Sequence, residues 1–294
     1  MTELPRLRVR RRARPADGRM TLVEHLYELR GRLFKAAVAV ILASVLSYIY
    51  FKPIFGFIIH PYCRLPQTKT GTGHGCTLYA FSVLDQFNAR LKVSLFVGGI
   101  LAAPVWLYQL WKFITPGLHT KERKWAFVFV GIGSVLFAFG TILAYFALYT
   151  GLEFLLSIGG GSVTTLLDVS GYLRYITAMV LVFGLAFEFP LVLCMLNMVG
   201  VLPHARLAGW RRQAIFLGFL FAALATPGQD PFGMLALGGS LWLLYELTLL
   251  ITRVHDKRKA RREARRRADE GWENIGDDET SPVDPQPSDL SDIS

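Results

Sequence analysis

From Trp125 to Tyr149 the chain carries no charged side chain. A helix that crosses the hydrocarbon core of a bilayer needs roughly 20 apolar residues, and this run is longer. Several other runs approach that length, parted by short charged or Gly/Pro-bearing segments. Hydrocarbon offers backbone groups no hydrogen-bond partners, so such runs must be helical. The expected fold class is therefore an all-α polytopic membrane protein. Composition agrees: 52% of residues are hydrophobic and 18% charged, against about 25% charged in soluble domains.

The formal net charge of +10 invites a nucleic-acid reading, but its placement argues for lipid. Lys and Arg gather at both ends and in the segments between apolar runs, where they set topology and meet anionic headgroups. A nucleic-acid binder would carry a basic face on a folded soluble domain, and the sequence has no such domain. Three cysteines are too few for a metal or redox scaffold. The sequence has no Walker loop, no GxGxxG after a strand and no HExxH, and no Ser/His/Asp set is placed for intramembrane nucleophilic chemistry. No catalytic residue, cofactor or metal is expected. His74 sits in a Gly-rich stretch that offers no ligand set.

Residues 1–20 form a basic, Pro-bearing arm expected to be disordered. Met20 directly precedes the first patterned segment, which makes it a candidate start of translation. Leu22, Leu26, Leu29 and Leu33 recur at helical spacing, with Glu24, Glu28, Arg32 and Lys35 on the other side. Glu28 and Arg32 stand in the favourable i,i+4 order.

Six spans are expected, at about 35–51, 93–111, 125–149, 175–199, 213–225 and 231–252. The second contains Pro104, expected to kink it and free a carbonyl. The third contains Gly131, Gly133 and Gly140, which permit close helix contact. The fourth carries Glu188 followed by Pro190. An ionisable group at that depth normally faces a partner or a watery recess. The fifth and sixth are short, so the bilayer thins around them or they sit in a recess. A long loop at 52–90 holds Cys63 and Cys76, and a second loop spans 150–172. Facing outward, the two cysteines could close a disulfide contributing about 3 kcal/mol; two free thiols are the alternative. Residues 254–294 are a basic and then acidic tail, the basic part expected as a surface helix and the acidic part as disordered. Lys/Arg placement puts both termini, the 112–124 tip and the 204–212 loop in the cytoplasm.

That tip ends a helical hairpin. Trp106, Tyr108 and Trp111 suit the headgroup level, Pro116 and Gly117 make the turn, and Glu122 stands among Lys121, Arg123 and Lys124.

HLYELRGRL at 25–33, APVWLYQLWKFITPGLHTKER at 103–123, SGYLRY and FGLAFEFP within 170–190, and ATPG at 225–228 resemble the TatC family, of an actinobacterial type. TatC is the polytopic subunit of the twin-arginine, Sec-independent protein translocase. The resemblance covers about residues 20–253. It implies a concave, glove-like bundle in the bacterial cytoplasmic membrane that acts as receptor for twin-arginine signal peptides of folded substrates. Signal-peptide positions then fall on Glu28, Arg30, Phe113, Pro116 and Glu122. Glu188 would meet a polar residue of TatA- or TatB-type single-span partners, in a self-associating complex driven by the proton-motive force. Pro104 matches a family proline, and Asp230 lies near a family acidic position in a divergent local pattern. The physical expectation is compatible, because two guanidiniums seek carboxylates able to accept forked hydrogen bonds. A proton-coupled small-solute transporter with Glu188 as relay is the competing reading.

Overall fold

A computed structural model describes residues 22–65, 78–114, 123–158 and 167–269. The N-terminal arm, Cys76 and its Gly/Thr-rich patch, the tip with Pro116 and Glu122, the GGGS stretch and the acidic tail lie outside the described residues. The chain divides into two compact units, residues 1–188 with 226–233, and residues 189–225 with 234–294.

The first unit contains α1 (Leu22–Ile49), α2 (Phe51–Cys63), α3 (Val83–Leu101), α4 (Ala103–Ile114), α5 (Arg123–Ser157) and α6 (Val169–Ala186). The amphipathic segment and the first apolar run are one helix of 28 residues. Nothing between Phe34 and Lys35 breaks it, since neither proline nor a glycine pair intervenes. Inside this helix the Ser44 and Ser47 hydroxyls donate to the Val40 and Ala43 carbonyls at 2.7 and 2.9 Å, satisfying themselves without water.

Helices α1 and α3 approach closely because Gly98 has no side chain. A Cβ there would lie 2.3 Å from Ser44 Oγ and 2.6 Å from its Cα. Helices α5 and α6 interlock likewise. A Cβ on Gly140 would meet the Phe183 carbonyl at 2.8 Å, and one on Gly184 the Phe137 ring at 2.8 Å. Gly131, expected to permit helix contact, instead faces open space. It lies on the side of α5 away from these neighbours.

The expected second span is broken. Helices α3 and α4 meet at Ala102 with a bend of 57°, and Pro104 is the second residue of α4. Proline cannot donate its nitrogen but fits the first turn of a new helix, so the break falls before Pro104 rather than at it. The Gly99 carbonyl accepts instead from the Trp106 indole at 3.0 Å.

The described part of the stretch expected as a long loop at 52–90 is largely helical. Helix α2 buries Ile58, Pro61 and Tyr62 and lies against α5 and α6. Tyr145 and Tyr172 donate their hydroxyls to the Phe57 and Ile58 carbonyls, at 3.2 and 2.5 Å. An apolar one-sided pattern shorter than a span therefore docks onto the bundle end. Before α3, Tyr79 pairs with the segment entering α6: Tyr79 donates to the Leu167 carbonyl and Val169 to that of Tyr79, at 3.2 and 3.0 Å. Ser82 and Asp85 form a capping box on α3, and Asp168 caps α6. The second expected loop, 150–172, is correspondingly shorter, because α5 runs on to Ser157.

The second unit contains α7 (Phe189–Val199), α8 (His204–Gly209), α9 (Arg211–Ala225) and most of α10 (Pro231–Asp269). Leu193, Leu207, Tyr245 and Leu249 form its core, and the Tyr245 hydroxyl donates to the Leu207 carbonyl at 2.8 Å. Asp256 accepts from the His204 backbone N–H at 2.8 Å and from the Asn197 amide at 3.1 Å, tying the turn after α7 to α10. The basic segment after Thr252, the part of the tail expected as a helix, continues α10 to Asp269.

Among the described residues four helical stretches are long and apolar enough to cross a bilayer: His25–Ile49, Phe127–Ser157, Val169–Val199 and Pro231–Arg267. The bent pair α3–α4 makes a fifth if it is one span. Helix α9, with 15 residues, is about 22 Å long, short of a core of about 30 Å.

Enlarging Gly98 to Leu forces α1 and α3 apart and costs about 1–3 kcal/mol. Gly131→Leu, which enters open space, leaves stability unchanged. Thermal unfolding of both variants in detergent checks the contrast.

Candidate recognition site and buried carboxylates

The first residue set lies where α1 begins and α4 ends. His25 stacks on Phe113 with ring centroids 4.3 Å apart and planes 14° from parallel. One turn along α1, Glu28 occupies the same helix face as His25. The acidic turn and the hairpin shoulder are therefore brought together, as two segments far apart in sequence. Glu28 Oε1 accepts from Arg32. Its Oε2 is buried without a hydrogen-bond partner among the described residues. The Arg32 side chain is 11% exposed and that of Glu28 28%, so loss of Glu28 would strand a buried guanidinium. Arg30 is exposed. Pro116 and Glu122 lie outside the described residues.

Aromatic contacts hold the hairpin shoulder. Tyr108 stacks on Phe127 at 5.5 Å and Trp111 on Phe129 at 5.6 Å, joining α4 to α5. Lys112 lies 5.6 Å over the Tyr108 ring. Trp111 is turned into the bundle rather than outward. It is 1% exposed, and its indole N–H is directed at the carboxyl of Glu188. Position on α4 decides this, since Trp111 lies on the face turned into the bundle with Leu107, itself fully buried.

Glu188 sits at the break after α6, where Phe187 ends the helix and Pro190 stands second in α7. It is 8% exposed, and neither oxygen makes a hydrogen bond of proper geometry among the described residues. A buried carboxyl left this way is costly unless something joins it.

A third cluster surrounds Asp230. Fully buried, it accepts from the Tyr175 hydroxyl at 3.0 Å and from the Gly233 backbone N–H, so it closes the first turn of α10. Gly228 takes φ +76° to make the turn before it. A Cβ on Gly151 would meet the Tyr175 hydroxyl at 2.7 Å and Asp230 Cγ at 2.9 Å.

His25, Trp111 and Tyr175 were not anticipated as site residues. The signal for His25 was its i,i+3 relation to Glu28. Tyr175 and Asp230 are 55 residues apart, a separation that local spacing does not encode. Among the cysteines, Cys63 is disulfide-bonded and Cys194 is free; Cys76 lies outside the described residues. Among the described residues no group of His, Cys, Asp and Glu could hold a metal.

The architecture is that of a multi-pass helical membrane protein whose polar side chains gather at helix breaks and at one helix-hairpin shoulder. The family model described as Sec-independent protein translocase protein (TatC) matches residues 24–239. A Sec-independent protein translocase protein TatC of Frankia casuarinae is 49% identical, covering 91% of this chain and 74% of its own. That of Corynebacterium kroppenstedtii is 38% identical, covering 96% and 72%. A crystal structure of a twin-arginine translocase receptor, TatC, aligns with TM-score 0.64 at 31% identity over 78% of this chain and 98% of that one. This chain belongs to the TatC family and is a multi-pass membrane component of the twin-arginine protein translocase. Membership removes the support for the solute-transporter alternative.

Tyr175→Phe is expected to lower stability by about 1 kcal/mol and Asp230→Ala by about 1–3 kcal/mol, since the latter strands two donors. Detergent-solubilised unfolding midpoints measure both.

Proposed function

We propose that this chain is the signal-peptide receptor and core subunit of its translocase, with six spans and both termini in the cytoplasm. Short α9 crosses where the bilayer thins. The paired arginines of a signal peptide engage Glu122 chiefly and Glu28 second. Phe113 and Pro116 shape the shoulder against which the peptide lies, and Arg30 donates to peptide carbonyls. The observation that carries this reading is the His25–Phe113 stack, which holds the acidic turn of α1 beside the hairpin. The second oxygen of Glu28 supports it, being without a described partner while Arg32 holds the first. An incoming guanidinium can join that oxygen once the shoulder opens around it, while Arg32 keeps the first. The task is binding and handing on, not covalent chemistry.

Glu188 is then the point at which a polar side chain of a TatA- or TatB-type single-span helix docks. Its buried, poorly satisfied carboxyl supports this. Trp111, two residues before Phe113, links that carboxyl to the recognition shoulder, so peptide capture and partner docking share one helix. Energy comes from the proton-motive force, and several copies assemble together. On the outer side a bridge between Cys63 and Cys76 closes the segment after α2; the bonded state of Cys63 supports it.

A photo-reactive twin-arginine peptide should crosslink to the full chain in membranes, and Glu122→Ala should weaken capture. One charge-assisted contact is about 1.5–3 kcal/mol, so the loss is roughly 10-fold or more. Glu28→Gln, which keeps an acceptor for Arg32, should weaken capture less. Undiminished capture by Glu122→Ala overturns the assignment. For the second site, Glu188→Gln should leave peptide capture intact while reducing co-purification of small single-span proteins. Unchanged co-purification removes Glu188 from that role.

A further inference from the structure

A groove of about 630 Å³ opens between α3, α4, α5 and α6, within the ~300–1,000 Å³ range of ligand sites. Its wall is apolar, with Gly99, Trp106, Phe137 and Leu181 among the lining residues. The Trp106 indole N–H is already given to the Gly99 carbonyl, and Phe137 meets the Trp106 ring edge-on at 5.5 Å. Gly99 itself leaves the groove open, because a Cβ there would touch nothing within 4 Å.

Two cations complete the lining, Lys92 and Arg174. Each stands seven residues, about 10 Å along its helix, before an apolar lining residue: Lys92 before Gly99, and Arg174 before Leu181. The Tyr79–Asp168 bridge joins the segments from which α3 and α6 start, so the two helices set out from the same end and both cations mark that end of the groove. Both are exposed, and neither has an ion-pair partner among the described residues. Two exposed cations at one end of an apolar groove attract an anion that carries an apolar chain. A phosphodiester carrying an acyl chain matches both halves.

We propose that this groove binds an anionic phospholipid, one acyl chain lying along Gly99, Trp106 and Leu181 and the phosphate held between Lys92 and Arg174. Arg174 supplies a forked pair of donors to the phosphate oxygens and Lys92 a compact charge. The site is separate from the peptide-recognition shoulder and from Glu188, neither of which lines it.

The test uses the full chain in nanodiscs containing lipids brominated in the acyl chain, with quenching of Trp106 read as the difference from Trp106→Phe. Brominated phosphatidylglycerol should quench at concentrations lower than brominated phosphatidylcholine by roughly 10-fold or more. The double variant Lys92→Gln/Arg174→Gln should lose that preference, and Lys92→Arg/Arg174→Lys should keep it. Gly99→Leu, which fills the groove, should abolish Trp106 quenching by either lipid. Equal quenching by the two lipids in the unaltered chain overturns the proposal, as does a preference that survives the double Gln variant. A photo-crosslinker at Leu181 that captures a single-span protein in place of lipid in native membranes also overturns it.

Discussion

Hydrocarbon cannot hydrogen-bond, so every interruption of a helix at membrane depth needs a partner supplied by the protein. The breaks in this chain are organised around that requirement. At Ala102 the indole of Trp106 takes the Gly99 carbonyl. At the turn before α10, Asp230 takes the Gly233 N–H and the Tyr175 hydroxyl. At 187–188 the polar group is Glu188, with the Trp111 indole directed at it. The first two breaks are closed by their partners, whereas the Glu188 carboxyl retains unmet acceptor capacity among the described residues. That difference separates structural polar groups from one suited to an external partner.

Helix α4 connects the parts. Its start is defined by the break before Pro104, its middle buries Leu107 and Trp111, and its end presents Phe113 to His25. The shoulder proposed for recognition and the Trp111 side chain directed at Glu188 are thus carried on one short helix. Its stacks on Phe127 and Phe129 hold it against α5, so displacement of the hairpin tip would move Trp111 as well.

Close glycine contacts fix the scaffold that makes this placement possible. Gly98 against Ser44, and Gly140 and Gly184 against Phe183 and Phe137, bring backbones near enough for dispersion to hold helices where lipid tails compete equally for apolar faces. The glycine at 131 shows why composition is a weak guide here. Spacing permits all of these contacts, and only the rotation of each helix selects which glycine meets a neighbour.

Residue order alone dictated the membrane class, the helical content and the apolar runs, because length and hydropathy act locally and the bilayer enforces the rest. The motif resemblance also singled out Glu28, Phe113 and Glu188 without coordinates. Packing decided what local patterns do not encode. It placed the α3–α4 break at Ala102, folded α2 out of an expected loop, turned Trp111 inward, and paired Tyr175 with Asp230 across 55 residues of chain. Each depends on which face of one helix meets another, a long-range choice made by shape complementarity and by the need to satisfy buried polar groups.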